Sequence, residues 1–279
     1  MSSTSCASPT DRIRLGLHAS DTMSGMTSAD HHKYRYPDPA ENITLTLVDQ
    51  SELSPELWGE QESSVLAKID EALRHGRLLT LLDYGSGTGR LAVRYAEIFE
   101  RVTSFEPDAG RAREQRDFIA MTPLADRIRV IEDLAVADAE YNAVLCSHVI
   151  QHVPRAVAER VLQDITGHVE HGGVVVLLTT LSPDKDPHYV LSYVSDAGRA
   201  VEDDVSAVEF ENAAREDVIG VLPVRFFPLA GLVAELDRLG MDTLGAFGFH
   251  GSSGIVGPAT EASPELLRCR DVALVTRRR

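Results

Sequence analysis

Apolar and polar positions follow two rhythms along this chain, and the switches between them locate its elements. Near the start, Ile43, Leu45 and Leu47 alternate with polar neighbours in NITLTLVD, which predicts a short strand. The next segment, SPELWGEQESSVLAKIDEALRHG, places Trp58, Val65, Leu66, Ile69 and Leu73 on one helical stripe. Ser54 suits the N-cap of that helix, Pro55 its first position, and Gly76 can end it. From Leu78 onward short apolar runs take turns with amphipathic segments. The pattern predicts strands over 79–83, 101–106, 127–132, 143–147 and 173–180, with helices over 89–99, 109–121 and 155–169. The fifth run, GGVVVLLTT, is apolar throughout, as a strand covered on both faces should be.

This alternation predicts an α/β fold, a Rossmann-like, mostly parallel sheet with helices on both faces. An acidic stretch, 181–223, interrupts it with a partly helical pattern and no strong strand. PLAGLVAELDRLG then reads as an amphipathic helix ending at Gly240, and MDTLGAFGFH and RDVALVTRRR as two last strands, seven in the sheet altogether. Their connection, 251–270, is rich in Gly and Ser and then contains Pro. The expected organisation is a flexible N-terminal tail and arm (1–40), a strand and helix cap (41–77), the core (78–180), a lid insertion (181–223) and the C-terminal part of the core (224–279).

Composition narrows the function classes. The 279 residues carry a formal net charge of −16, which argues against a general nucleic-acid binder or docking on an anionic membrane, since both need a basic surface. Cys6, Cys146 and Cys269 form no CxxC pair, so neither a zinc site nor a disulfide framework is suggested. A reduced, cytoplasmic setting fits. No apolar run reaches membrane-spanning length, and the Ser/Thr-rich start lacks the apolar core of a signal peptide.

The chemistry concentrates in DYGSGTGR, Asp83 to Arg90. A phosphate-binding GxxxxGK[ST] loop would need a lysine that is missing, and in a dinucleotide GxGxxG the third glycine would fall on Arg90. Asp83, at the carboxyl end of the first strand, also opposes a pyrophosphate: two like charges a few ångströms apart in a partly dry site cost roughly several kcal/mol. A cationic group suits it better, such as the ammonium of an amino-acid end whose carboxylate faces the helix start after Gly89. Glu106, ending the second strand in SFEPD, can accept both hydroxyls of a ribose, with Pro107 as a flat surface for a base. Asp133, after the third strand in VIEDL, can read an exocyclic amine. Amino-acid end, ribose and adenine together describe S-adenosylmethionine.

On these residues the chain resembles the class I S-adenosylmethionine-dependent methyltransferases. LDYGSGTGRLA, VTSFEPD, RIRVIEDL, YNAVLCSHVIQHV and HGGVVVLLTT are similar, in order and spacing, to the five motifs of that superfamily and span 78–180. Asn142 stands where the fourth motif usually has Asp. The nearest subfamily in type is the ubiquinone-biosynthesis-like group of small-molecule methyltransferases common in natural-product pathways.

The resemblance implies that Asp83, Gly85, Ser86 and Gly87 hold the methionine part. It gives the ribose to Glu106 and the adenine to Asp133 and Leu134, with Pro107 and Phe105 nearby, and it sets Ser147 and His148 under the sulfonium. It implies O- or N-methylation of a small-molecule acceptor, leaving S-adenosylhomocysteine. Alternatives are a non-methylating reaction of the bound cofactor, such as cyclisation or elimination, or a non-catalytic methyltransferase-like subunit. His152 is the first candidate for an acceptor base and His148, four residues earlier, the second. Tyr34 and Tyr36 in the arm and His188 and Tyr189 in the insertion could line an acceptor pocket. No metal is expected, since Cys146 and Ser147 stand where metal-dependent relatives carry acids. The N-terminal strand could pair across a homodimer.

Overall fold

The computed structural model describes residues 55–74, 78–195, 200–216, 220–259 and 261–279. The strand expected around 43–47, Tyr34, Tyr36 and the Trp58 side chain lie outside the described residues.

The elements run α1 (Pro55–Leu73), β1 (Thr80–Tyr84), α2 (Arg90–Ala96), β2 (Arg101–Phe105), α3 (Ala109–Ala120), β3 (Ile128–Ile131), β4 (Tyr141–Ser147), α4 (Arg155–Gly167) and β5 (Val169–Ser182). Then follow β6 (His188–Val194), β7 (Ala200–Asp204), α5 (Ala207–Glu216), β8 (Val221–Pro228), α6 (Leu229–Arg238), β9 (Met241–Phe249), β10 (Val256–Ala259) and β11 (Asp271–Arg278). In space the main sheet is ordered β10-β9-β11-β5-β4-β1-β2-β3. β1 to β5 pair in parallel, and β11 is antiparallel to both β5 and β9. The seven expected strands are all present, and β10 adds a short eighth at the edge beside β9.

The sheet has a core on each face because its strands are apolar at successive positions. On β1, Leu82 and Tyr84 join the core under α4 and α6, while Leu81 joins the core under α1 and α2. Val157, Ala158, Val161, Leu162 and Ile165 of α4, and Leu229, Leu232 and Leu236 of α6, fill the first. Val65, Leu66, Ile69 and Leu73 of α1 fill the second. Each such large side chain contributes roughly 1.5–3 kcal/mol when taken from water. Asn142 ties the start of the sheet together: its Oδ1 accepts from Thr80 N at 2.9 Å, and its Nδ2 donates to Glu170 Oε1 at 2.7 Å. No described helix is long and apolar enough to cross a membrane.

The acidic insertion departs from its reading. β6 pairs with β7 and with β8 in an antiparallel outer sheet, and the far end of β8 pairs with Leu181 and Ser182 of β5. Two features hid these strands. β7, AVEDD, looks like a solvated acidic run, yet Glu202 accepts from Ser192 Oγ, Asp203 from the Tyr193 hydroxyl, and Asp204 lies 3.3 Å from His188 Nε2. β8 contains Pro223, which normally demotes a strand; β5 pairs with β8 only at Phe227 and Pro228, away from that proline. The connection 251–270 also holds a short helical turn, Leu266–Arg268, beyond β10.

Candidate active site

Parallel strands end on a common edge, so the residues that close β1, β2, β3 and β4 converge. β9 ends there too, and β11, running the other way, begins there: Asp271 pairs with both Thr180 of β5 and Phe249 of β9. Alternation of side chains puts Asp83 on the same face as Leu81, and Asp271 on the same face as Ala273 and Val275, all toward α1 and α2.

After β1 the chain turns sharply, with Gly85 N and Ser86 N both donating to Phe105 O, at 2.9 and 3.0 Å. Gly85 has φ 71°, and a Cβ there would lie 2.4 Å from Val149 Cγ2. Gly89 has φ 85° and sits against Gln115, where a Cβ would come within 2.6 Å of Cγ. A side chain at either position meets both a forbidden dihedral and a filled space. Gln115 is itself hydrogen-bonded to Ser86 and Ser104, which joins the loop to α3 and β2.

Asp83 is 1% exposed. Its Oδ2 is buried and makes no hydrogen bond. Burial, and next the charge of Glu106, push its pKa from 3.8 to about 7, with Arg90 opposing. A buried carboxylate with one oxygen unsatisfied is costly unless a cation or donor completes it. Glu106, 5% exposed, is better provided: Gly87 N donates to Oε2 at 2.8 Å and Asp108 N to Oε1 at 3.0 Å. Burial raises its pKa, and those two N–H groups work against the rise. Pro107 beside it is half-buried. Asp133 is exposed and caps the turn Leu134–Val136 by accepting from Ala135 N at 2.9 Å, while Leu134 is buried.

Beyond β4, Ser147 and His148 are half-buried, and His148 takes a left-handed backbone, φ 55°. Thr179 Oγ1 donates to Gln151 Oε1 at 3.2 Å, which leaves the amide Nε2 to donate to His148 Nδ1 at 2.8 Å. His148 Nδ1 is therefore an acceptor and its Nε2 carries the proton. Burial lowers its pKa, so the ring is neutral near pH 7. His152 is 8% exposed, and its Nδ1–H donates to Pro223 O at 2.8 Å. Burial pushes its pKa down to about 3. A base that weak takes up little proton near neutral pH. What His152 does in this structure is fasten the loop after β4 to the outer sheet, alongside Arg225 N, which donates to Gln151 O.

A family model described as a methyltransferase domain matches residues 57–214, more than half of the chain. The chain belongs to the methyltransferase-domain family. Solved structures agree in fold. An S-adenosylmethionine-dependent methyltransferase from Clostridium acetobutylicum ATCC 824 is 12% identical, with a TM-score of 0.54 over 86% of this chain and 99% of that one. The glycopeptide N-methyltransferase MtfA in complex with S-adenosylmethionine is 18% identical, with a TM-score of 0.51 over 76% of this chain and 86% of that one. The CcbJ methyltransferase from Streptomyces caelestis is 13% identical, with a TM-score of 0.54 over 84% and 95%. A search of curated proteins gave no match.

The methyltransferase holds one group at this edge that its sequence did not reveal. His250, directly after β9, and Asp271, the first residue of β11, meet at 2.6 Å between Nδ1 and Oδ2. Their side chains are each 3% exposed. Burial works against the charge on Asp271, but the His250 hydrogen bond and the nearby His148, His250 and Arg270 hold its pKa below the usual carboxylate value. Next to the pair, Gln61 of α1 donates to Gly251 O at 3.0 Å and accepts from Gly251 N at 3.2 Å. Among the acceptor candidates, His188 packs its ring on Phe226 and Tyr189 packs on Phe210 with Arg225 above it, so both take part in the packing of the outer sheet. Among the described residues no group of three or more His, Cys, Asp or Glu side chains has the arrangement to hold a metal ion.

Proposed function

We propose that this methyltransferase takes S-adenosylmethionine as its methyl donor and methylates a small-molecule acceptor of secondary-metabolite type at oxygen or nitrogen, releasing S-adenosylhomocysteine. The observation that carries the reading is Asp83: a buried carboxylate with one unsatisfied oxygen, beside a left-handed glycine loop in which Gly87 has no atom within 4.0 Å of where a Cβ would stand except Arg111 Nη1. An ammonium completes that carboxylate, and a phosphate would repel it.

When bound, the sulfonium supplies a methyl group already activated for displacement, so the protein mainly aligns and shields. Asp83 takes the ammonium, and Gly85, Ser86 and Gly87 line the methionine part. Glu106 accepts the ribose hydroxyls through the lone pairs that Gly87 N and Asp108 N leave over, and those two N–H groups fix its direction. Asp133, held by Ala135 N, reads the adenine edge, with Leu134 and Pro107 against its faces. Ser147 and His148 stand beside the reacting carbon, where a neutral His148 presents an N–H without adding a positive charge next to the sulfonium. His152 serves by holding Pro223, which keeps the outer sheet in place as a lid over this edge. Tyr34, Tyr36, His188 and Tyr189 remain acceptor-side residues in this reading. The net charge of −16 supports a small acceptor over a nucleic acid, and so do the outer sheet and the fold shared with a glycopeptide N-methyltransferase.

Calorimetry with S-adenosylmethionine and S-adenosylhomocysteine tests the donor; labelled donor with a panel of small phenols and amines tests the acceptor. Tight binding that Asp83→Asn weakens at least tenfold is the expected result. Absence of binding, or wild-type affinity in Asp83→Asn, would sink the reading.

A further inference from the structure

We propose that Gln115 of α3 is a positioning residue for the donor: it fastens the glycine loop so that the loop in turn holds Glu106, which makes the methionine and ribose subsites one unit. This rests on the donor reading above.

Gln115 stands where helix packing alone would ask for an apolar side chain. Its companions on the buried stripe of α3 are Ala112 and Ile119, and Gln115 itself is 0% exposed. A buried amide is costly unless its polar atoms are paired. Two serines supply the pairing. Gln115 Nε2 donates to Ser104 Oγ of β2 at 2.5 Å and to Ser86 Oγ of the loop at 3.1 Å. The Ser86 hydroxyl lies 3.3 Å from Gln115 Oε1 and 3.4 Å from Phe105 O, so either can accept its proton. That hydroxyl is turned toward α3 and β2 and serves to anchor the loop. The stem of Gln115 fills the space beside Gly89, where a Cβ would come within 2.6 Å of Cγ. One side chain therefore meets the loop at two points, Ser86 and Gly89.

Gly87 lies between those points. It has φ 57°, and a Cβ there would meet only Arg111 Nη1, at 4.0 Å, so its place depends on the anchors around it. Its N–H donates to Glu106 Oε2 at 2.8 Å. The other oxygen of Glu106 accepts from Asp108 N at 3.0 Å, and Asp108 caps α3 by accepting from Arg111 N at 2.8 Å. The ties close into a ring. α3 starts at the residue that holds one oxygen of Glu106, and about two turns later it sends Gln115 back to the loop that holds the other. Cutting the ring at Gln115 frees Gly87 to leave Glu106, which loosens the methionine cradle and the grip on the ribose together.

The test compares the full chain with four variants. Gln115→Met keeps an unbranched side chain against Gly89 and removes the amide. Ser86→Ala cuts the same tie from the loop side. Ser104→Ala removes only the partner on β2, and Gln115→Met with Ser104→Ala removes the β2 hydroxyl that Gln115→Met leaves unpaired. Calorimetry measures each against S-adenosylhomocysteine and its 2′-deoxyribose form, and thermal scans give the unfolding midpoints. Expected are an affinity for S-adenosylhomocysteine about 5- to 50-fold lower in Gln115→Met and in Ser86→Ala, and within about threefold of wild type in Ser104→Ala. Wild type should prefer the ribose form by about fivefold or more, and that preference should fall at least about threefold in Gln115→Met. The double variant should regain stability lost in Gln115→Met without regaining affinity, which separates positioning from packing. A loss of less than fivefold in Gln115→Met would overturn the role of Gln115, as would the same result in Ser86→Ala should Gln115→Met fail to fold. So would an undiminished ribose preference, affinity restored along with stability in the double variant, or a loss in Ser104→Ala equal to that in Gln115→Met. Each of these leaves the donor reading standing. A wild type that fails to bind S-adenosylhomocysteine, or that prefers its ribose form by less than fivefold, would instead tell against the donor reading itself and remove the role of Gln115 with it.

Discussion

Asp83 shows how one residue trades stability for a ligand. Its pKa rises from 3.8 to about 7 on folding. Below about pH 4 it is protonated folded or unfolded and has no effect. As pH rises toward 7 the folded state holds that proton more tightly than the unfolded state, so stability falls, and above 7 the full cost, on the order of 4 kcal/mol, is present. Asp83→Asn should therefore raise the unfolding midpoint of the ligand-free protein by about 2–8 °C while weakening ligand binding, a pairing of outcomes that thermal scans and calorimetry can read together. The same titration predicts a pH dependence. An ammonium partner favours the carboxylate and lowers its pKa in the complex, so binding just below pH 7 releases a proton and affinity climbs as pH rises to about 7. Calorimetry in two buffers of different ionisation enthalpy measures that proton, and none released would contradict the assignment. At Gly85, a methyl group meets Val149 at 2.4 Å as well as a strained dihedral. Gly85→Ala should cost about 1–3 kcal/mol by chemical denaturation. Adding Val149→Ala should recover part of that loss, because it opens the space and leaves the dihedral strained.

Among the elements, the outer sheet depends on a few buried polar ties. Arg225 of β8 is 5% exposed, lies 3.0 Å from Glu211 of α5, donates to Val153 O, and packs against the Phe210 and Phe227 rings. Arg270, just before β11, reaches across to Glu202 of β7 with two hydrogen bonds. Arg225→Met should cost about 2–4 kcal/mol. The loss should appear as faster hydrogen exchange in β6 and β8 with β1, β4 and β5 unchanged; a uniform acceleration would mean that the two sheets unfold together. Little of this was legible beforehand. The parallel core could be read because Leu81 and Leu82 precede a glycine turn and Val174 to Leu178 form an unbroken apolar run, both of which suit buried strands, and Asp83 and Glu106 stood out as acids at strand ends. β7 could not, because its acids are balanced by Ser192, Tyr193 and Arg270 from elsewhere in the chain. His250 and Asp271 could not either. Their meeting depends on the reversal of β11 and its register with β9, a tertiary fact with no local signature.

Across the whole molecule, the residues proposed for the donor and the buried His250–Asp271 pair are gathered on one edge of the sheet by two different routes. The parallel strands deliver Asp83, Glu106, Asp133 and Ser147 at their carboxyl ends, and β11 delivers Asp271 at its start. Saturation with S-adenosylhomocysteine should accordingly slow hydrogen exchange at the ends of β1, β2 and β4, and leave the opposite edge, around Thr80, Arg101 and Arg278, as it was. Protection spread evenly over both edges would argue for a general stiffening instead. The reversed strand has a further consequence for engineering. Asp271 is fed into the site by 251–270, a segment that lies outside the parallel strands and the glycine loop. A combinatorial library confined to that segment is expected to change the surroundings of His250 and Asp271 while the glycine loop, Glu106 and Asp133 stay as they are, so one corner of the edge could be varied as a detachable module.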